Sequence, residues 1–121
     1  MYNDNVLSVE DLSFWEENGY VVVKNAVPEE NLTDVVEAIW AFLEVDPIDN
    51  ENWYAQSPRC SAYPDSPISQ AGMVEIYQHQ ALWNNRQYPR IHQAFAEIWQ
   101  TEKLWVSLDR ANMKPPTRPQ N

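Results

Sequence analysis

The side chains of this chain best suited to metal or nucleophilic chemistry are two histidines, His79 and His92, and a single cysteine, Cys60. A zinc or iron site needs three or four donors from His, Cys, Asp or Glu that converge on one point. His79 and His92 stand on either side of Pro89, so they do not share one helix face, and no His-x-Asp, His-x-x-x-His or Cys-x-x-Cys pattern occurs. They read as two ordinary polar histidines, and no metal ligand is assigned. Cys60 has no second cysteine to pair with, and a nucleophilic thiol needs a nearby cation or helix N-terminus to lower its pKa, which nothing in the sequence places beside it. There is no Gly-x-Ser-x-Gly elbow, and two glycines cannot build a phosphate-binding loop. No catalytic residue is assigned either.

Aromatic side chains offer a different chemistry, that of a ligand platform. Six tryptophans occur, at 15, 40, 53, 83, 99 and 105. Core packing is the better reading for most of them, because Trp40 lies beside an apolar helical stripe and Trp99 and Trp105 fall in segments patterned like a core. Trp53 stands apart, in an irregular stretch, and is the candidate for contact with a ligand or partner.

Elements must hold these groups in place, and the chain has the composition to fold: 44% hydrophobic and 21% charged residues. At 121 residues it suffices for one modest core. Eighteen acidic against eight basic residues give a net charge of −10, a field that repels phosphate backbones and anionic membrane surfaces. Nucleic acid and membrane are therefore excluded as expected partners. The acids are spread over several segments, as on a solvated surface. No apolar run approaches the ~18–20 residues that cross a bilayer, and no basic-then-apolar leader opens the chain, so a reducing cytoplasm is the expected location.

Ser8 can cap a helix over Val9–Glu17, with Glu10 and Asp11 in its first turn and Gly19 to end it; Leu12 and Trp15 share its inner face, with Val9 and Phe14 alongside. Tyr20–Lys24 has the β-branched and aromatic content of a short buried strand. Leu32, Val35, Val36, Ile39, Phe42 and Leu43 recur at helical steps, predicting a second helix over Pro28–Glu44. Residues 46–72 hold four prolines with Trp53, Tyr54 and Tyr63, and read as a long loop. Val74, Ile76, Tyr77, Leu82 and Trp83 predict a short helix or irregular segment. A helix from Pro89 comes next, with Ile91, Phe95, Ile98 and Trp99 inward. Leu104–Arg110 is a predicted strand, stopped by Pro115-Pro116, and residues 115–121 form an unanchored tail. Tyr20–Lys24 and Leu104–Arg110 are expected in one sheet beneath the second helix.

The order of these segments resembles a known family. Leu7-Ser8-Val9-Glu10-Asp11, then Phe14-Trp15-Glu16-Glu17-Asn18-Gly19-Tyr20-Val21-Val22-Val23, is similar to the entry of phytanoyl-CoA dioxygenase-like proteins: a helix, Asn-Gly-Tyr, and a hydrophobic strand. Ala81-Leu82-Trp83, Arg86-Gln87-Tyr88-Pro89, Leu104–Arg110 and Lys114-Pro115-Pro116 resemble later segments of the same family's bacterial and fungal branch. The resemblance spans nearly the whole chain apart from the proline-rich loop. It implies an α+β fold, with helices packed on a small partial β-sheet as in the N-terminal portion of a double-stranded β-helix (cupin-like) oxygenase. It also implies Fe(II) and 2-oxoglutarate for a full-length parent, whose His-x-Asp and second His would come after Asn121.

In that setting the strand Leu104–Asn112 places Leu104, Val106, Leu108, Arg110 and Asn112 on one side. Arg110 and Asn112 are the candidates to reach the barrel mouth near cosubstrate or substrate; the alternative for Arg110 is a pair with Asp109 or a surface acid. The chain alone is expected to be inactive, the N-terminal fragment of an oxygenase that hydroxylates a small organic substrate. The alternative is a free-standing α+β binding or assembly module without catalysis. A partial sheet leaves an open edge, so a homo-oligomer is expected.

Overall fold

A capping box opens the first helix, α1 (Val9–Asn18). The Ser8 hydroxyl accepts from the Asp11 amide at 3.0 Å and the Asp11 carboxylate accepts from the Ser8 amide at 3.0 Å. Gly19 closes it in the left-handed conformation at φ 79°, where its amide donates to the Trp15 carbonyl. The cap residues and the boundaries agree closely with the sequence reading. The computed structural model describes residues 4–54 and 72–116. Cys60, Tyr63, most of the proline-rich loop and the end of the tail lie outside the described residues.

Helix α2 (Glu29–Leu43) begins after Pro28, whose fixed φ of −62° suits the entry. A 3₁₀ turn over Asn50–Tyr54 lies inside the stretch read as loop. Strand β1 (Met73–Val74), helices α3 (Gln80–Arg86) and α4 (Pro89–Trp99), and strand β2 (Ala111–Asn112) complete the order among the described residues. α2 packs against α3, and α3 against α4. β1 and β2 pair antiparallel, with Met73 opposite Asn112 and Val74 opposite Ala111. The fold is thus helices with a small two-stranded sheet, of the α+β class.

The core sits where α2 and α3 cover this sheet. Ala38 and Leu43 from α2, Val74 and Ile76 from the β1 region and Ala81 from α3 are buried together, with Val35, Ile39, Phe42, Leu82 and Met113 around them. Each fully buried Val, Leu or Ile contributes about 1.5–3 kcal/mol. Val74 is wholly inaccessible, so the alternation Val74–Glu75–Ile76 aims its apolar members inward and Glu75 outward, a strand period in a segment whose sequence suggested a helix or no regular structure.

The expected sheet of Tyr20–Lys24 with Leu104–Arg110 does not form. Neither segment carries a ladder among the described residues. Tyr20–Lys24 is confined between the left-handed Gly19 and a turn at Lys24-Asn25, with Asn25 at φ 53°. Val22 is exposed, and Tyr20 turns back to meet Phe14 edge-on at 5.1 Å. Strand propensity expresses packing against a neighbouring strand, and none lies alongside among the described residues. Leu104–Arg110 does lead into β2, which begins just beyond the expected strand. The inner face of α4 also differs: Ala94 and Ala96 are buried, while Phe95 and Trp99, one turn apart, look outward. Trp105 is fully exposed. On α1, Leu12 and Trp15 are half-buried but Val9 and Phe14 are exposed.

Two helices end unusually. α2 and α4 are terminated by left-handed residues that are not glycine, Glu44 at φ 57° and Gln100 at φ 55°.

Candidate functional site

Where the chain leaves β1, strand alternation puts Glu75 and Tyr77 on the face opposite the buried Val74 and Ile76. β2 is approached from the other direction by Asp109 and Arg110, and the two pairs meet. Arg110 Nη1 lies 2.8 Å from Glu75 Oε1, an ion pair about three-quarters shielded from solvent. The Arg110 guanidinium also lies over the Tyr77 ring, 5.3 Å from its centroid, and its Nε is 3.5 Å from Asp109 Oδ1.

Arg86, in the last turn of α3, reaches across the same junction. Its Nη1 donates to the Tyr77 carbonyl at 2.8 Å and its Nη2 to the Asp109 carbonyl at 2.5 Å, while its guanidinium covers the Trp83 ring at 5.0 Å. Two planar cations therefore stitch the segment after β1 to the segment before β2, each using the fork geometry that lysine lacks. Arg86 also suits the negative end of the α3 dipole.

Tyr77 donates its phenolic proton to the second oxygen of Glu75. That hydrogen bond, with burial, raises the phenol above its ordinary value of 10.0, against the pull of Arg110. A raised pKa means that the protonated phenol stabilises the fold at pH below that ordinary value, and that this contribution is lost as pH rises through the higher folded value. Tyr77 is expected to ionise later than a free tyrosine. Replacing Glu75 by Gln should bring its phenolate absorbance transition down, read as the difference between each protein and its Tyr77→Phe counterpart; an unmoved transition would contradict the assignment.

Of the sequence candidates, Arg110 lies at the centre of this cluster. Asn112 lies in β2, exposed, with its amide beside Gly72: a Cβ on Gly72 would stand 3.2 Å from Asn112 Oδ1, and Gly72 has φ 67°, so the residue there needs both small size and left-handed freedom. Trp53 is elsewhere, in the 3₁₀ turn, stacked on Trp40 of α2 at 6.1 Å between centroids. Its Nε1 is buried without a partner among the described residues. Its neighbour Tyr54 donates to the Pro116 carbonyl at 2.7 Å, tying the turn to the end of the described chain.

The histidines serve backbone groups. His79 is the N-cap of α3, where Nδ1 accepts from the Ala81 amide at 3.0 Å. His92 Nε2 lies 3.0 Å from the Glu102 carbonyl. Among the described residues no group of three His, Cys, Asp or Glu side chains is placed to hold a metal ion. Nor is any helix there long and apolar enough to cross a membrane.

Sequence reasoning passed over Glu75, Tyr77 and Arg86. The signal for the first two was the alternation from Met73 to Tyr77, which reading that stretch as a short helix or irregular segment hid. Arg86 carried no signal, since its partners are carbonyl oxygens. Chemically the cluster is a closed one: Glu75 is already engaged by Tyr77 and Arg110, and both guanidiniums are directed at protein acceptors. Against known proteins, the chain matches no family model, no curated protein and no solved structure.

Proposed function

We propose that this chain is the N-terminal part of an Fe(II)/2-oxoglutarate oxygenase of the phytanoyl-CoA dioxygenase-like kind, one that hydroxylates a small organic substrate and is inactive without the rest of its fold. The observation that carries this reading is the order of its segments. A capped helix ends at Gly19-Tyr20 and runs into Val21-Val22-Val23, and an amphipathic helix comes after it. Much later the apolar run Leu104–Leu108 leads through Arg110 and Asn112 to Lys114-Pro115-Pro116. The packing is in keeping with it. Val22, Phe95 and Trp99 face outward, apolar surface suited to cover by further sheet, as in a double-stranded β-helix.

The described residues do not suit an iron centre, since both histidines are engaged by backbone groups. In this reading iron and 2-oxoglutarate are held by residues of a longer polypeptide. What this chain contributes in that reading is an approach to the barrel: the clamp of Glu75, Arg86 and Arg110 sets the direction in which the strand carrying Asn112 enters.

The test is the parent reading frame. It should continue past Asn121 into a His-x-Asp motif, and the extended protein should bind stoichiometric Fe(II) and consume 2-oxoglutarate, whereas residues 1–121 should do neither. Tight, stoichiometric Fe(II) binding by 1–121 would overturn the proposal. A native stop codon directly after Asn121 would overturn it in favour of a free-standing binding or assembly module.

A further inference from the structure

From Lys103 to Arg110 the backbone passes without helix, turn or bend into β2, and residues 105–110 make no backbone-to-backbone hydrogen bond with any described residue. Trp105 is fully exposed, and Val106 and Leu108 are 43% and 47% exposed. An apolar segment of this kind, with its amides and carbonyls unladdered, is a template for another strand. What that strand should be is written in the charges.

The segment reads Glu102-Lys103-Leu104-Trp105-Val106-Ser107-Leu108-Asp109-Arg110. Laid antiparallel on a second copy and centred on Val106, it is its own complement. Val106 meets Val106, Leu104 meets Leu108, and Trp105 meets Ser107, whose small side chain leaves room for the indole. Lys103 falls opposite Asp109, and beyond them Glu102 falls opposite Arg110. Lys103 and Asp109 thus meet opposite charges, a pairing that occurs twice by symmetry, while Arg110 keeps its own contact with Glu75. Moving the centre by one residue loses this: centred on Ser107, Lys103 faces Ala111 and Asp109 faces Trp105.

We propose that two copies of this chain associate through residues 103–109, as an antiparallel strand pair about a two-fold axis at Val106. The pairing is isologous, so it closes at a dimer rather than growing into a fibre. Cross-strand pairs of opposite charge and of apolar side chains are the unit that stabilises such a ladder, and like charges directly opposite weaken it. The alternation puts Lys103, Trp105, Ser107 and Asp109 on one face and Leu104, Val106 and Leu108 on the other, so the apolar and the ionic pairs are largely segregated. This inference does not depend on the oxygenase reading.

The experiment uses residues 1–121 carrying Cys60→Ser, with one cysteine introduced at a time. Directly opposed residues of an antiparallel pair have Cα atoms about 4.5–5.5 Å apart, within reach of a disulfide. Val106→Cys alone should therefore form a covalent dimer under mild oxidation. Trp105→Cys and Ser107→Cys should each fail alone and should cross-link when mixed. Light scattering of the unmodified chain should show a dimer. Lys103→Asp should weaken it roughly tenfold by placing two like-charge pairs across the axis, and the double change Lys103→Asp with Asp109→Lys should restore it. A monomer mass at the highest soluble concentration would overturn the proposal. So would self-cross-linking of Ser107→Cys in preference to Val106→Cys, or a double variant as weak as the single.

Discussion

Ile76→Ala is expected to lower the unfolding free energy by about 2–5 kcal/mol, the range for truncating a large side chain in a packed core. Ile76 is 6% exposed and lies in the cluster shared by α2, α3 and the β1 region, so its removal opens a cavity where the three meet. Domains of this size have only about 5–15 kcal/mol in all, and few large side chains among the described residues are fully buried, so little else absorbs the loss. Chemical denaturation followed by circular dichroism measures it. Ile48→Ala is the control: Ile48 is 89% exposed, and its truncation should change stability by less than ~0.5 kcal/mol. Equal effects at the two positions would mean that the core lies elsewhere.

The second large effect is expected at Glu97, and it should be local. α1 has no fully buried residue; of its apolar side chains only Leu12 and Trp15 are half-buried. The chain just before it is held by one carboxylate of α4, which accepts from the Val6 amide at 2.9 Å and the Leu7 amide at 2.8 Å, and from Gln93 Nε2 at 2.8 Å. Leu7, 3% exposed, is seated by this contact. Glu97→Ala leaves both amides without their acceptor, at a cost of about 2–3 kcal/mol for charge-assisted bonds lost from a shielded site. Amide exchange should then show α1 losing protection while α2 and α3 keep theirs. Glu97→Gln, which keeps one acceptor oxygen, should fall between. If α1 stays protected in Glu97→Ala, the anchor is some other contact.

Legibility in the sequence tracked the range of the interaction. Helix ends were readable because a capping box and a left-handed glycine act over three or four residues, as at Ser8, Asp11 and Gly19. The α2 stripe was readable as a helix, yet Leu32 and Val36 within it are exposed, since periodicity names a face and not how much of it is covered. Strand pairing was not readable. Nothing in Tyr20–Lys24 reveals that no described strand lies beside it, and the partner of β2 turned out to be Met73-Val74, just beyond a proline-rich stretch. The same held for the site. Arg110 was named from its place on one side of the expected Leu104–Asn112 strand, but its partner Glu75 is thirty-five residues earlier, and Arg86 acts through carbonyls that every residue possesses.

Glu44 and Gln100 hold left-handed backbone that costs a residue with a Cβ roughly 1 kcal/mol more than glycine. The chain uses glycine at Gly19 and Gly72, where the backbone is also left-handed, and places longer side chains at two other helix ends. Those ends are held by the residue after each: the Val45 amide donates to the Trp40 carbonyl at 3.2 Å, and the Thr101 amide to the Ala96 carbonyl at 3.2 Å. Both positions therefore carry conformational tension that a single substitution would release, and they form a reserve from which this fold could gain thermal tolerance without altering its core, its clamp or its open edge.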